Sequence, residues 1–359
     1  MGEVGLWVDE AKVTVQDASR GDVMSVLGPV RTKLSLGRRS DAGFAEGEVT
    51  LGQRSTRSGT RRARTGVAAA LATAALAAGA LAACDSSSEP HGRRPPGASA
   101  RPSPSPSPTP VWDRSPDSLA AVGDSITRGF DACMVLSDCP EVSWATGTDT
   151  VVNSLAMRLL GAPGVKEHSW NLARSGADAA DLPEQMARAA AHDPELVTVM
   201  IGANDACADT VGRMTPVGEF RASLEAAMAR LRSDAPKAQV YVASVPDLKR
   251  LWSEGRGDAL GSRIWELGIC ATMLGDAQDV SVRAQERRDT VQQRVVAYND
   301  VLKDVCAKDD RCRYDGGAVF DYRFSGAQLS RWDWFHPSRD GQQRLAEIAH
   351  RNITAAQAP

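Results

Sequence analysis

The chain carries little net charge, −3 from 42 lysines and arginines against 45 aspartates and glutamates, so it offers no basic surface on which nucleic acid would be held. It is also poor in histidine, with five in 359 residues, and none of its seven cysteines forms a C-x-x-C pair or stands beside a histidine cluster. That removes the common zinc spacings, and neither a metal nor a cofactor is expected. Residues 1–55 are polar and Gly-rich and lack any sustained apolar period; they are expected to be unstructured or not translated. The long uncharged run from Gly66 to Ala83 is built almost wholly of small residues and is marginal as a membrane-spanning helix.

What surrounds that run gives it a different meaning. Arg57, Arg61, Arg62 and Arg64 precede it, and it closes on Leu81-Ala82-Ala83-Cys84, so residues 56–84 read as a signal peptide with a lipobox and Cys84 as the lipidated residue of a membrane-anchored product. Because the basic region of such a signal normally opens the protein, translation is expected to begin nearer the arginine cluster. Residues 85–110 form a Ser/Pro-rich linker in which proline alternates from Arg101 to Pro110, a semi-rigid polyproline spacer of ~3.1 Å per residue. Only residues 111–359 have a globular composition. Their six cysteines, an even number in an exported domain, argue for disulfides. Short separations favour Cys133–Cys139 and Cys306–Cys312, which leaves Cys207–Cys270.

Within 111–359 apolar runs alternate with helical periods. Strands are read at Leu119–Val122, Lys166–Asn171, Leu196–Gly202, Gln239–Val245 and Ala318–Asp321, and helices at Val151–Leu160, Leu182–Ala191, Glu219–Arg232, Arg283–Asp304 and Ser338–Ile353. This alternation predicts an α/β domain with a parallel sheet covered on both faces, and ligands bind beyond the carboxyl ends of such strands. Leu248–Val282 interrupts the repeat, either as one wall of the binding pocket or as a surface excursion.

Ser125, in Gly123-Asp124-Ser125, directly follows the first strand. A serine hydroxyl needs an imidazole to take its proton, and the imidazole needs a carboxylate to hold its tautomer. Asp333 and His336, three apart in Asp333-Trp334-Phe335-His336-Pro337, supply both. The backbone N–H groups of Ser125 and Gly176 and the Asn204 side-chain amide are candidate donors for an oxyanion. Asp124 and Asp205 have no histidine close behind them and are read as a turn carboxylate and a supporting group. His91, His168, His192 and His350 are read as structural or solvated, and Arg174 as a surface charge or a contact for an anionic substrate group.

Ser125, Gly176, Asn204 and His336 occur in the order of the four blocks that define the SGNH, or GDSL-type, hydrolases, and the chain resembles that family from about Val111 to Thr354. Gly123 through Cys133, Cys139 and Trp144-Ala145-Thr146-Gly147 is similar to secreted actinobacterial members of the phospholipase-B-like kind. The resemblance implies a flavodoxin-like three-layer sandwich with a central, mostly parallel five-stranded sheet, and ester cleavage through an acyl-enzyme. It leaves the substrate open, since members cleave lipids, acetylated sugars and thioesters. The function expected is that of an extracytoplasmic serine ester hydrolase, an esterase or lipase acting on lipid or short-chain acyl esters as a monomeric cell-surface lipoprotein or secreted enzyme. The alternatives are a polysaccharide O-acetyl esterase and a non-catalytic lipoprotein that binds glycan or lipid.

Overall fold

The computed structural model describes residues 111–359 and the backbone of three short strands near the start of the chain. Those strands, β1 (Val4–Asp9), β2 (Lys12–Asp17) and β3 (Asp22–Val26), pair as an antiparallel meander in a region where no period is evident from the sequence. The signal-like segment 56–84 with Cys84, the linker 85–110 and His91 lie outside the described residues.

In the larger unit β4 (Leu119–Gly123), β5 (Ser169–Asn171), β6 (Leu196–Met200), β7 (Gln239–Val242) and β8 (Cys312–Tyr314) form one sheet in the order β5-β4-β6-β7-β8, with every pairing parallel. Side chains alternate across a strand, so each strand feeds two cores. Ala120, Val122, Val197, Val199, Val240 and Val242 face α3 (Leu182–Ala190), α5 (Val217–Asp234) and α9 (Val282–Cys306) through Met186, Phe220 and Val291. The intervening Leu119, Ala121, Leu196, Met200 and Tyr241 face α2 (Leu155–His168) and α11 (Arg339–Thr354) through Leu155 and Leu345, with Trp144 packed in the same core. With helices on both faces, the central strands β4, β6 and β7 are buried throughout, while the edge strands β5 and β8 are only partly so. The result is the expected three-layer α/β sandwich, its five strands all parallel.

Several helix starts follow from capping side chains. Ser154, Ser281 and Ser338 each accept a first-turn N–H, which leaves fewer orphaned donors. Helix α2 begins at Leu155 and not at Val151, because Asn153 is left-handed (φ 48°) and Ser154 caps the next turn. After a break at Gly161 (φ 70°) a second helical stretch runs through His168, so Lys166–His168 belong to it and not to β5. The remaining short helices are α1 (Ser125–Arg128), α4 (Ala203–Ala206), α6 (Leu248–Gly255), α7 (Ala259–Trp265), α8 (Ala271–Leu274) and α10 (Ala318–Asp321).

One expected strand is wrong. Ala318–Asp321 is the helix α10, and the fifth strand is Cys312–Tyr314. The Asp315 carboxylate accepts the N–H groups of Gly317 and Val319 (2.8 and 3.0 Å) and so starts a helical turn. Arg313 disguises the true strand, since a buried arginine stands at its centre. Its guanidinium donates to the carbonyls of Asn352 and Ala355 (2.9 Å each) at the end of α11 and stacks on Trp112.

Candidate active site

β4 delivers the nucleophile candidate through a turn that only glycine can make. Gly123 has φ 145°, and a Cβ there would lie 2.2 Å from the Met200 carbonyl oxygen. Gln185, buried on α3, clamps that turn: Gly123 N–H donates to its Oε1 at 2.7 Å and its Nε2 donates to the Gly123 carbonyl at 3.0 Å. Asp124 then caps α1 by accepting the Ile126 N–H at 2.9 Å. Ser125 is the first residue of that helix and lines the cleft described below.

The segment before α11 brings the partners. His336 Nε2 lies 2.8 Å from Ser125 Oγ, and His336 Nδ1 lies 2.5 Å from Asp333 Oδ2. Asp333 Oδ1 accepts the N–H groups of Phe335 and His336 at 2.9 and 3.0 Å, so its orientation is set by its own turn. Its carbonyl accepts the Trp265 indole N–H at 2.8 Å, which ties the turn to α7. Phe130 and Phe335 flank the imidazole at centroid distances of 5.0 and 4.9 Å. Ser125, Asp333 and His336 are all buried, at 8%, 2% and 9% exposure.

Ser125, His336, Gly176 and Asn204 line one open cleft of about 280 Å³, with Phe130, Phe335 and Ile269 as its apolar lining. Gly176 has φ 81° and empty space where a Cβ would stand, so its backbone is bare toward the cleft. Among the described residues, no acceptor takes the N–H of Ser125 or of Gly176. Asn204 donates one amide proton to the Ala177 carbonyl at 2.8 Å, which leaves its second for a ligand. Buried Asp205 accepts the Ala179 N–H (3.1 Å) and so braces the loop that carries Gly176. Three donors around a nucleophile–imidazole–carboxylate line can stabilise a tetrahedral oxyanion.

Electrostatics fit the same arrangement. Burial disfavours the charged imidazole, but the hydrogen bond and charge of Asp333 outweigh it and hold His336 above its ordinary range. Burial likewise pushes Asp333 up, yet its bonds to His336 and to two backbone N–H groups bring it below the usual carboxylate range. Burial raises Asp124 to about 7 and Asp205 to about 6.

Disulfides join Cys133 to Cys139, Cys207 to Cys270 and Cys306 to Cys312. The second places Gly268, Ile269 and Cys270 on the cleft wall, so the 248–282 insertion is both pocket wall and, through Trp265, a support for Asp333. Three metal-type donors also approach one another at Cys133, Cys139 and Glu141 and at Asp131, Asp333 and His336. The first pair of sulfurs is bonded together, and both nitrogens of His336 are engaged by Asp333 and Ser125. His168, His192 and His350 lie away from the cleft; His192 stacks on Trp170, and Arg174 pairs with Asp181. Gln185, Trp265 and Asp131 were not singled out from the sequence, and no spacing to a motif marks them.

The sequence from residue 121 to 344 matches the GDSL-like lipase/acylhydrolase family. The chain belongs to that family. Its members' chemistry makes it an ester hydrolase. No curated protein sequence matches the chain. Similar solved structures include an extracellular lipase from Streptomyces rimosus (18% identity, 66% of this chain and 99% of that one, TM-score 0.38). Others are phospholipase A1 from Streptomyces albidoflavus (20%, 66% and 99%, 0.36) and a family 3 carbohydrate esterase from Clostridium thermocellum (14%, 64% and 92%, 0.40).

Proposed function

We propose that the chain is an extracytoplasmic serine ester hydrolase that works through an acyl-enzyme on lipid or short-chain acyl esters. The observation that carries this reading is the line from Ser125 Oγ through His336 to Asp333, at 2.8 and 2.5 Å, opening on a cleft shared with Gly176 and Asn204. Ser125 Oγ attacks the ester carbonyl while its proton passes to His336 Nε2; the charge that develops on the carbonyl oxygen meets the N–H groups of Ser125 and Gly176 and the free amide proton of Asn204. Collapse expels the alcohol, which takes the proton from His336. Water then enters, gives a proton to the same nitrogen and attacks the Ser125 ester; collapse releases the acid as the departing Ser125 Oγ takes that proton back from His336. Asp333 keeps Nδ1 protonated throughout and stabilises the imidazolium.

Replacing Ser125 by alanine is expected to lower ester turnover by a factor on the order of 10⁶ and to abolish labelling by a fluorophosphonate. p-Nitrophenyl esters of graded length, phospholipids and acetylated xylan serve as substrates and locate the acyl preference. Wild-type turnover in the alanine variant overturns the assignment.

The run 66–83 ending in Leu81-Ala82-Ala83-Cys84 supports a lipid anchor on Cys84. A chain that starts at Val111 is expected to be folded and active on small esters, while the full precursor partitions into detergent. Recovery of the full-length product wholly in the aqueous phase, with Cys84 unmodified by mass spectrometry, would show instead a released enzyme.

A further inference from the structure

Asp131 stands beside the triad's acid without facing the substrate cleft. It lines a second cavity, of about 530 Å³, together with Ser330, Arg331, Trp332 and Trp334. Its backbone is left-handed (φ 56°) and its residue is only 2% exposed, so an aspartate is held there against both conformational preference and desolvation. The surrounding loop fixes it: Asp131 Oδ1 accepts the Leu136 N–H, its N–H donates to the Ser137 carbonyl at 3.0 Å, and its carbonyl accepts the Ser330 hydroxyl at 2.7 Å. One carboxyl oxygen of Asp131, one of Asp333 and a ring nitrogen of His336 lie within 4.8 Å of one another.

Two carboxylates this close and this dry do not both ionise. Asp333 is the one equipped for charge, with His336 on one oxygen and two backbone N–H groups on the other. Asp131 receives a single backbone donor, so its other oxygen is available to carry a proton toward Asp333. We infer that Asp131 shares a proton with Asp333 and gives it up over the same pH range in which His336 becomes the free base, and is thereby a positioning residue that sets the charge behind the base. Burial first, and then the Asp333 charge, push the Asp131 carboxyl up to about 7. The inference rests on the roles given above to Ser125, His336 and Asp333.

Its consequence is a coupled titration. When Asp131 loses its proton, a second negative charge faces His336 and stabilises the imidazolium, so the base becomes harder to free. The other charges around His336 are Asp333 itself and Asp124, with Asp205 beyond it. Across the second cavity stand Arg331, over the Trp332 ring, Arg339, paired with Asp149, and Asp340. All of them are common to wild type and variants, so they cancel in a comparison.

The test is an NMR pH titration of the His336 ring protons in the wild type, Asp131→Asn and Asp131→Ala, with the pH profile of kcat/KM measured alongside. Asparagine keeps a donor toward Asp333 and cannot ionise. Two overlapping steps are expected in the wild type, collapsing in Asp131→Asn to one step with a midpoint lower by roughly half a unit or more. The acid limb of kcat/KM should move down equally, with the plateau kcat within about threefold, whereas Asp131→Ala should lose roughly tenfold in kcat at unchanged KM. A single-proton curve for His336 in the wild type overturns the inference, whether or not the variants fold. So do identical wild-type and Asp131→Asn curves. Because the titration needs no turnover, its failure is distinct from failure of the hydrolase assignment.

Discussion

Removing the bond between Cys207 and Cys270, by changing both to serine, tests how the insertion is held against the cleft. The two cysteines are 63 residues apart, whereas Cys133–Cys139 and Cys306–Cys312 each span six. In the chain-entropy description the long link restricts the unfolded chain by about 4 kcal/mol at 25 °C and each short one by about 2 kcal/mol. For a domain of this size each kcal/mol is worth roughly 2–4 °C, so the double variant should melt ~8–16 °C lower. Between the two linked loops two hydrogen bonds remain, the Thr272 N–H donating to the Ala208 carbonyl at 3.2 Å and its hydroxyl to the Ala206 carbonyl at 2.9 Å. They hold α8 near α4 but leave Gly268 and Ile269, on the cleft wall, freer to move. On the proposed function, KM for longer acyl esters should therefore rise more than kcat falls, because Gly268 and Ile269 line the cleft but belong to neither the Ser125–His336–Asp333 line nor the three oxyanion donors. Urea unfolding followed by tryptophan fluorescence reads the stability, and a steeper slope is expected because the denatured chain freed of the link exposes more surface. A loss under about 1 kcal/mol would refute the reasoning.

Asn204→Ala should lower kcat by roughly 10²–10³ with little change in KM, because the amide acts on the developing oxyanion; a change confined to KM would mean that it only binds substrate. Asp124→Asn should gain stability relative to wild type as pH rises. The buried Asp124 carboxyl titrates at about 7 in the fold against its ordinary 3.8, so its contribution is present below about 4 and lost as pH climbs to 7. Asparagine caps α1 equally well and carries no such loss. Unfolding free energies of the two proteins at pH 4 and pH 8 decide it, and a difference independent of pH would sink it.

The groups placed on one cleft were legible because they sit in short segments next to strong strand signals. Val122 closes an apolar run and Gly123 follows it; Met200 does the same before Asn204, so parallel strands carry both loops to one sheet edge. Asp333 and His336 were legible as a pair because one turn joins them and Asp333 accepts the His336 N–H within it. Strand β8 was not legible, since a charged Arg313 at its centre breaks the apolar pattern, and the carbonyls that satisfy it belong to a helix end some forty residues on. The three helices of the 248–282 insertion were read only as an interruption, although Asp247 and Asp258 cap two of them.

Sequence by itself determined which residues could react, since a nucleophile, a base with its acid, and a flexible glycine declare themselves through residue type and near-neighbour geometry. It also determined the alternation of strands and helices, because burial on both faces forces apolar runs of one length and periods of another. Tertiary structure decided what supports them: Gln185 on the Gly123 turn from 62 residues away, Trp265 on the Asp333 carbonyl from 68, and Asp131 against Asp333. Those contacts depend on strand order and on which loops share a sheet edge, so a carboxyl such as Asp131 acquires its character only when the fold removes its water and sets another charge beside it.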